Sequence, residues 1–152
     1  VKNAKVLAVE LKKFGFELVS GGTDNHLILV DLRNKSVNGW VAGWALEYAG
    51  IILNRNGVPG DTNPPFYPSG IRMGTPALTS RGMKEREMVR VAKWINDVVE
   101  HVKEFQMPND KLQRTKFVKK FLGAIKKDKY LAKLRQEVTR FAGRYPVPGI
   151  NE

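Results

Sequence analysis

Met88, Val91, Ala92, Ile95, Val98, Val99 and Val102 recur at spacings of three and four residues. They therefore line one stripe of an α-helix and no single face of a strand. A helix over residues 84–104 with such a stripe must bury it against a surface of similar extent, which the rest of the chain has to supply. Ala4, Leu7, Ala8 and Leu11 form a second helical face, which Lys2, Lys5, Lys12 and Lys13 avoid, and Gly15 ends that helix. Trp40, Val41, Trp44, Ala45 and Tyr48 predict a third helix, stopped by Gly50 in the position after the last turn where glycine is favoured. Short strand-like runs fill the gaps. Phe16 to Ser20 is one, closed by Gly21-Gly22. His26 to Leu32 is another, apolar on both alternations and so expected to be covered on both faces. Ile51 to Leu53 and Ile71 to Met73 predict two more. After a break at Pro108-Asn109-Asp110, Phe117, Val118, Phe121, Leu122 and Ile125 mark a further helix. Leu131, Leu134, Val138, Phe141 and Ala142 mark the last. Strands early and helices late imply an α+β fold, with helices packed on a small sheet. Residues 1–107 are expected to form a small domain, and residues 108–152 a basic helical extension packed on it.

Composition narrows the chemistry. The chain has 152 residues and no cysteine, so disulfides, thiolate metal sites and cysteine nucleophiles are excluded. His26 and His101 are far apart, and no metal site is expected. No apolar run approaches the roughly 20 residues of a spanning helix, and no signal-peptide pattern opens the chain. Val1 rather than methionine stands first, which fits an internal piece or a processed chain. The net charge of +11 is unevenly placed: residues 77–152 hold 18 Lys/Arg against 9 Asp/Glu, whereas residues 1–76 hold 8 against 6. A basic half of this kind either attracts polyanions or is a solvated lysine-rich face.

Three constellations carry chemistry. In Ser69-Gly70-Ile71-Arg72-Met73-Gly74-Thr75-Pro76 an arginine stands between glycines, just before a helix start signalled by Thr75-Pro76. A guanidinium binds a carboxylate through two parallel hydrogen bonds. Flanking glycines let a ligand approach, and a helix N-terminus adds positive potential. The ordinary alternative for Arg72 is pairing with a protein carboxylate. In Gly21 to Arg33, Asp24 and His26 suggest acid–base chemistry. The competing reading is an Asx-type turn made by Asp24 and Asn25, with His26 a satisfied, partly buried imidazole. In Asn54-Arg55-Asn56-Gly57-Val58-Pro59-Gly60-Asp61 two side-chain amides can read the edge of a heterocycle or serve as turn residues. The loop from Asn54 to Pro68 contains four prolines, and loops of this length inside a compact domain are usually functional.

The order of these motifs is more specific than any one of them. GGTDNHLILVDL, a helix, Gly50-Ile51 leading into NRN, then SGIRMGTPALTSRGM resembles the C-terminal part of serine (glycine) hydroxymethyltransferase. The resemblance runs from Val1 to about Val102, with weaker agreement as far as Tyr145-Pro146. It implies the small C-terminal domain of a fold-type-I transferase, a small, mostly antiparallel sheet covered by helices on one face, in an enzyme that uses pyridoxal phosphate as electron sink. The implied reaction interconverts serine and glycine and passes a one-carbon unit to tetrahydrofolate. It further implies a cytoplasmic enzyme of amino-acid and one-carbon metabolism that is a dimer or tetramer when complete. By resemblance, Arg72 is the arginine that grips the amino-acid carboxylate. Asn56 matches the second asparagine of the family's Asn-Lys-Asn motif, which contacts the pterin; here Arg55 replaces the lysine. The loop from Gly57 to Pro68 would border the folate site. The family's cofactor-binding lysine lies in a threonine-rich stretch ending His-Lys, and neither histidine here precedes a lysine. No catalytic residue is therefore expected in this chain, which is expected to be one piece of a larger enzyme, inactive without the large cofactor-binding domain.

The rival reading is a basic helical nucleic-acid-binding module built on Lys116, Lys119, Lys120, Lys126, Lys127, Lys129 and Lys133. It lacks interleaved aromatics on a basic strand, and nucleic acid is the less expected partner.

Overall fold

The computed structural model describes residues 1–150. Helix α4, Glu85–His101, carries the long stripe, and Met88, Ala92, Ile95, Val98 and Val99 are almost wholly buried. Its partner is helix α1, Lys2–Lys13, which turns Ala4, Leu7, Ala8 and Leu11 inward. Gly15 at φ 80° reverses the chain after α1, a conformation open to glycine at no steric cost. Asn3, 5% exposed, ties the pair to the next layer: its amide donates to Thr79 Oγ1 and to the Met83 carbonyl, both at 2.9 Å. Asn3→Ala strands that carbonyl in the interior. The expected cost is about 1–3 kcal/mol, read as a lower urea midpoint with an unchanged m-value.

Four strands follow: β1 (Glu17–Leu18), β2 (Leu27–Asp31), β3 (Asn54–Asn56) and β4 (Gly70–Gly74). They form one antiparallel sheet in the order β1-β2-β4-β3. Leu29 and Asn54 stand opposite Arg72, while Asp31 and Asn56 stand opposite Gly70. Leu18, Ile28, Val30, Ile71 and Met73 alternate onto one face and are buried. That face meets α1 and helix α2, Gly39–Tyr48, and α4 packs against both helices. The fold is therefore α+β, with a small antiparallel sheet and helices against one face.

Two sequence expectations need correction. The run from His26 to Leu32 is not covered on both faces: Leu27 is 41% exposed and Leu29 only half-buried, because the helices pack on one side alone. Ile51 to Leu53 is not a strand. Gly50 at φ 88° ends α2, and the Ile51 N–H returns to the Leu46 carbonyl at 2.8 Å. These residues are thus spent on closing a helix, Ile52 is 84% exposed, and the strand begins at Asn54.

Helix α3, Pro76–Ser80, is short. Helices α5 (Lys111–Ile125) and α6 (Lys129–Ala142) start at Asp110 and Asp128, whose carboxylates accept from Gln113 N and Leu131 N as N-caps do. Both helices join the main core. Phe121 is fully buried against Trp40, Phe105 and Phe117, with ring centroids 5.7, 5.1 and 5.9 Å away. Leu131, Leu134, Val138 and Phe141 belong to the same cluster. Arg81 donates to the Ala142 and Tyr145 carbonyls, each at 2.6 Å, and so holds the end of α6.

Candidate functional site

The face of the sheet turned away from the helices carries the candidate residues. Along β4 it reads Gly70, Arg72, Gly74, since alternate strand residues share a face. Arg72 is thus the only side chain that β4 puts there. Antiparallel partners share a face too, so Leu29 and Asn54 flank Arg72. Asn56 and Asp31 stand one step along, opposite Gly70. Sequence positions 16 residues apart, Asn56 and Arg72, are in this way brought onto one surface.

Arg72 is exposed, and among the described residues its guanidinium makes no hydrogen bond and no ion pair. The ordinary alternative of a protein carboxylate partner is therefore not what the structure has. Asn54 is exposed, and Asn56, half-buried, makes only a 3.4 Å contact with the Gly57 carbonyl. Both amides keep donors and acceptors for a ligand. Arg55 points the other way: its guanidinium lies 4.6 Å from the Trp44 ring centroid and 4.0 Å from Glu47. The helix start after Thr75 contributes little. α3 has five residues, and the Thr75 side chain does not cap it.

The turn before β2 is built by Thr23 and Asn25, not by Asp24. Asn25 Oδ1 accepts from Leu27 N at 2.7 Å, and Thr23 Oγ1 donates to the Leu27 carbonyl at 2.6 Å. Asp24 is exposed. His26 is exposed rather than partly buried; its backbone carbonyl accepts from Thr75 N at 3.2 Å. Among the described residues neither side chain makes an ion pair.

The largest network at this face is not visible in the motifs. Asp31 and Arg33 form a fork, with Nη2 to Oδ2 at 2.6 Å and Nε to both oxygens at 3.0 Å. Arg33 also donates to the Pro59 and Gly60 carbonyls, each at 3.1 Å. Asp61 accepts from Ser69 N at 2.8 Å, Ser69 Oγ at 2.7 Å and Asn63 N at 3.0 Å. Asn38 donates to the Tyr67 carbonyl at 3.0 Å, and Gly39 N to the Pro68 carbonyl at 2.9 Å. The proline-rich segment is thus pinned to the scaffold near both ends. Val58, 7% exposed, comes down on Gly70, where a Cβ would collide with it.

The Arg33 hydrogen bonds hold the Asp31 carboxyl below its ordinary value, against the opposing effect of burial. A carboxyl whose folded pKa is depressed stabilises the fold above its unfolded pKa, and the effect is lost as pH falls through the folded value. The urea midpoint should therefore drop below about pH 4. Asp31→Asn should remove part of that drop, measured by urea titrations at pH 3, 4 and 6.

The open face is not a cavity. An apolar cavity of about 190 Å³ lies on the other side of the sheet, lined by Leu53, Met73, Trp94, Ile95, Val138 and Phe141. Among the described residues no three His, Asp or Glu side chains gather to hold a metal, and no helix is long and apolar enough to cross a membrane. Lys116, Lys119, Lys120, Lys126, Lys127, Lys129 and Lys133 are exposed and form no ion pair among the described residues. Tyr130, beside Lys129, lies 4.5 Å from the His101 ring.

Pyridoxal phosphate does not fit this face. None of the four strands contains a lysine, and Asp31, the buried acid there, is engaged by Arg33. What the face offers is a free guanidinium between glycines, two amides and a pinned loop. The family model described as serine hydroxymethyltransferase matches residues 1–95, well over half of the 152, and the chain belongs to that family.

Proposed function

We propose that this chain supplies the amino-acid-carboxylate and folate side of a serine hydroxymethyltransferase active site, with pyridoxal phosphate held by another part of the enzyme. Arg72 grips the carboxylate of serine or glycine through a two-pronged contact. Asn56 hydrogen-bonds the pterin of tetrahydrofolate, and the loop from Gly57 to Pro68 borders it. Residues 1–107 act as the small domain facing the substrate, and the helices from residue 108 onward cap it. The complete protein is a cytoplasmic homo-oligomer that interconverts serine and glycine, and this chain alone is inactive. One observation carries the reading: Arg72 has no carboxylate partner among the described residues, and it shares its open face with Asn54 and Asn56.

The test is a crossed pair of substitutions in the complete enzyme, read by equilibrium titration with each ligand alone. Arg72→Lys should weaken serine and spare tetrahydrofolate. Asn56→Ala should weaken tetrahydrofolate by about tenfold, the order of one hydrogen bond with its partner left unpaired, and spare serine. If each substitution moved both affinities equally, or neither, the division of roles would be wrong.

A further inference from the structure

We propose that Asp61 is a positioning residue for folate: its carboxylate folds the segment after Asn56 back onto the start of β4 and so fixes the folate-side wall. The inference rests on the reading of Asn56 and its loop given above. Nothing in that reading assigns Asp61 a role.

The segment leaves β3 at Asn56 and re-enters the sheet at Gly70. A chain of that length, unpaired, samples many conformations, and a ligand that needs one of them pays the ordering cost on binding. Asp61 removes much of that freedom. One oxygen accepts the Ser69 backbone N–H at 2.8 Å; the other accepts the Ser69 hydroxyl at 2.7 Å and the Asn63 N–H at 3.0 Å. Asn63 in turn donates its side-chain amide to Ser69 Oγ at 2.8 Å. The Asp61 N–H closes a turn on the Val58 carbonyl at 3.0 Å, with Gly60 at φ 67°. Ser69, 3% exposed, is fixed from the other side, because its carbonyl accepts from Leu32 N at 3.1 Å. The anchor is thus part of the sheet, and Asp61 ties the loop to it.

The carboxylate faces only donors. Burial pushes the Asp61 carboxyl up, but the hydrogen bonds from Ser69 and Asn63 help hold it below its ordinary value. An asparagine in its place must turn its NH₂ toward either Ser69 N or the Asn63 and Ser69 donors, whichever way the amide is set. The substitution changes no volume and breaks at least one of the three contacts. Arg72 is held independently by the ladders of β2 and β3 on either side of β4, so serine binding gives an internal control.

In the complete enzyme, Asp61→Asn should raise the dissociation constant for tetrahydrofolate about tenfold and leave that for serine within about twofold. In a double-mutant cycle with Asn56→Ala the two losses should be non-additive, because the loop begins at the residue that makes the contact. A merely structural role would lower the melting temperature and affect both ligands alike, and that outcome overturns the proposal. So does unchanged folate affinity. If Asp61→Asn does not fold, Ser69→Ala decides: it deletes the hydroxyl contact and keeps the backbone one, and it should still weaken folate selectively. Should Asn56→Ala itself leave folate binding intact, the underlying assignment falls. Should Asn56→Ala weaken folate while Asp61→Asn does not, only the positioning role falls.

Discussion

Gly39→Ala is expected to destabilise the protein by at least about 3 kcal/mol, the upper end for overpacked interiors. Gly39 is the first residue of α2 and lies where that helix passes over the end of the proline-rich loop. A Cβ there would collide with the Gly70 carbonyl oxygen, and would stand 2.7 Å from the Pro68 oxygen and 2.8 Å from the Gly70 carbonyl carbon. All three are backbone atoms of the segment that leads into Arg72, so no rotamer change relieves the clash. The helix start or β4 has to move, and the 2.9 Å bond from Gly39 N to Pro68 is lost with it. Gly43, one turn further along α2, is the control. The atoms nearest to a Cβ there belong to the Arg55 side chain, with Cγ at 2.5 Å and Cδ at 2.9 Å. That chain is long and can swing off Trp44, while alanine gains about 1 kcal/mol over glycine within a helix. Gly43→Ala should therefore cost clearly less than Gly39→Ala, because a side chain and not backbone has to move. Urea unfolding of both variants checks the contrast. A Gly39→Ala midpoint equal to that of the parent would show that the two segments are not packed as described.

Helices are legible in the sequence because their stripes are long: seven residues at helical spacing between Met88 and Val102 leave no competing period. Strands of two to five residues leave room for error. Ile51 to Leu53 has the right composition for a strand, but its first residue belongs to the closure of α2, decided by Gly50 and the Leu46 carbonyl. The real strand, Asn54–Asn56, is polar because it is an edge strand whose asparagines face outward. Periodicity rewards burial and cannot find such a strand. The same limit explains Leu27 and Leu29. Their side chains are apolar, which predicts cover on both faces, yet this chain supplies helices for only one. In the proposed complete enzyme the other face meets ligand and the large domain, so those leucines report on something outside the fold described. Arg72 and Asn56 are singled out in the sequence by motif order alone. Their common face depends on register, Arg72 with Asn54 and Gly70 with Asn56, and no local pattern encodes it. Arg33 reaching Pro59 and Gly60, 26 and 27 residues away, is equally long-range, and no motif reveals the clamp on the loop for that reason.

Arg72→Lys should weaken serine about ten- to a hundredfold in the complete enzyme although the charge is kept, the range set by losing one charge-assisted hydrogen bond. Three features of β4 set this expectation. The open face of that strand is glycine, arginine, glycine, so no neighbouring side chain on it blocks approach to the guanidinium. No described carboxylate lies within 4.0 Å of Arg72 to compete for it. Pairing on both sides, to Leu29 and Asn54, holds the backbone in register, so the fork is presented in one direction. Lysine at this site is a point charge on a flexible stem and reaches one carboxylate oxygen at a time. The second charge-assisted bond is lost, worth about 1.5–3 kcal/mol, and that range converts to the stated loss of affinity. Arg72→Ala removes the charge as well and should weaken serine further, while folding stability stays within about 0.5 kcal/mol, as for an exposed side chain with no partners. The separation is the discriminating result. A guanidinium that served only the fold would show its loss in the urea midpoint. One that waits for a carboxylate shows it in serine titration alone, and equal serine affinity in the parent enzyme and in the Arg72→Lys and Arg72→Ala variants would end the assignment.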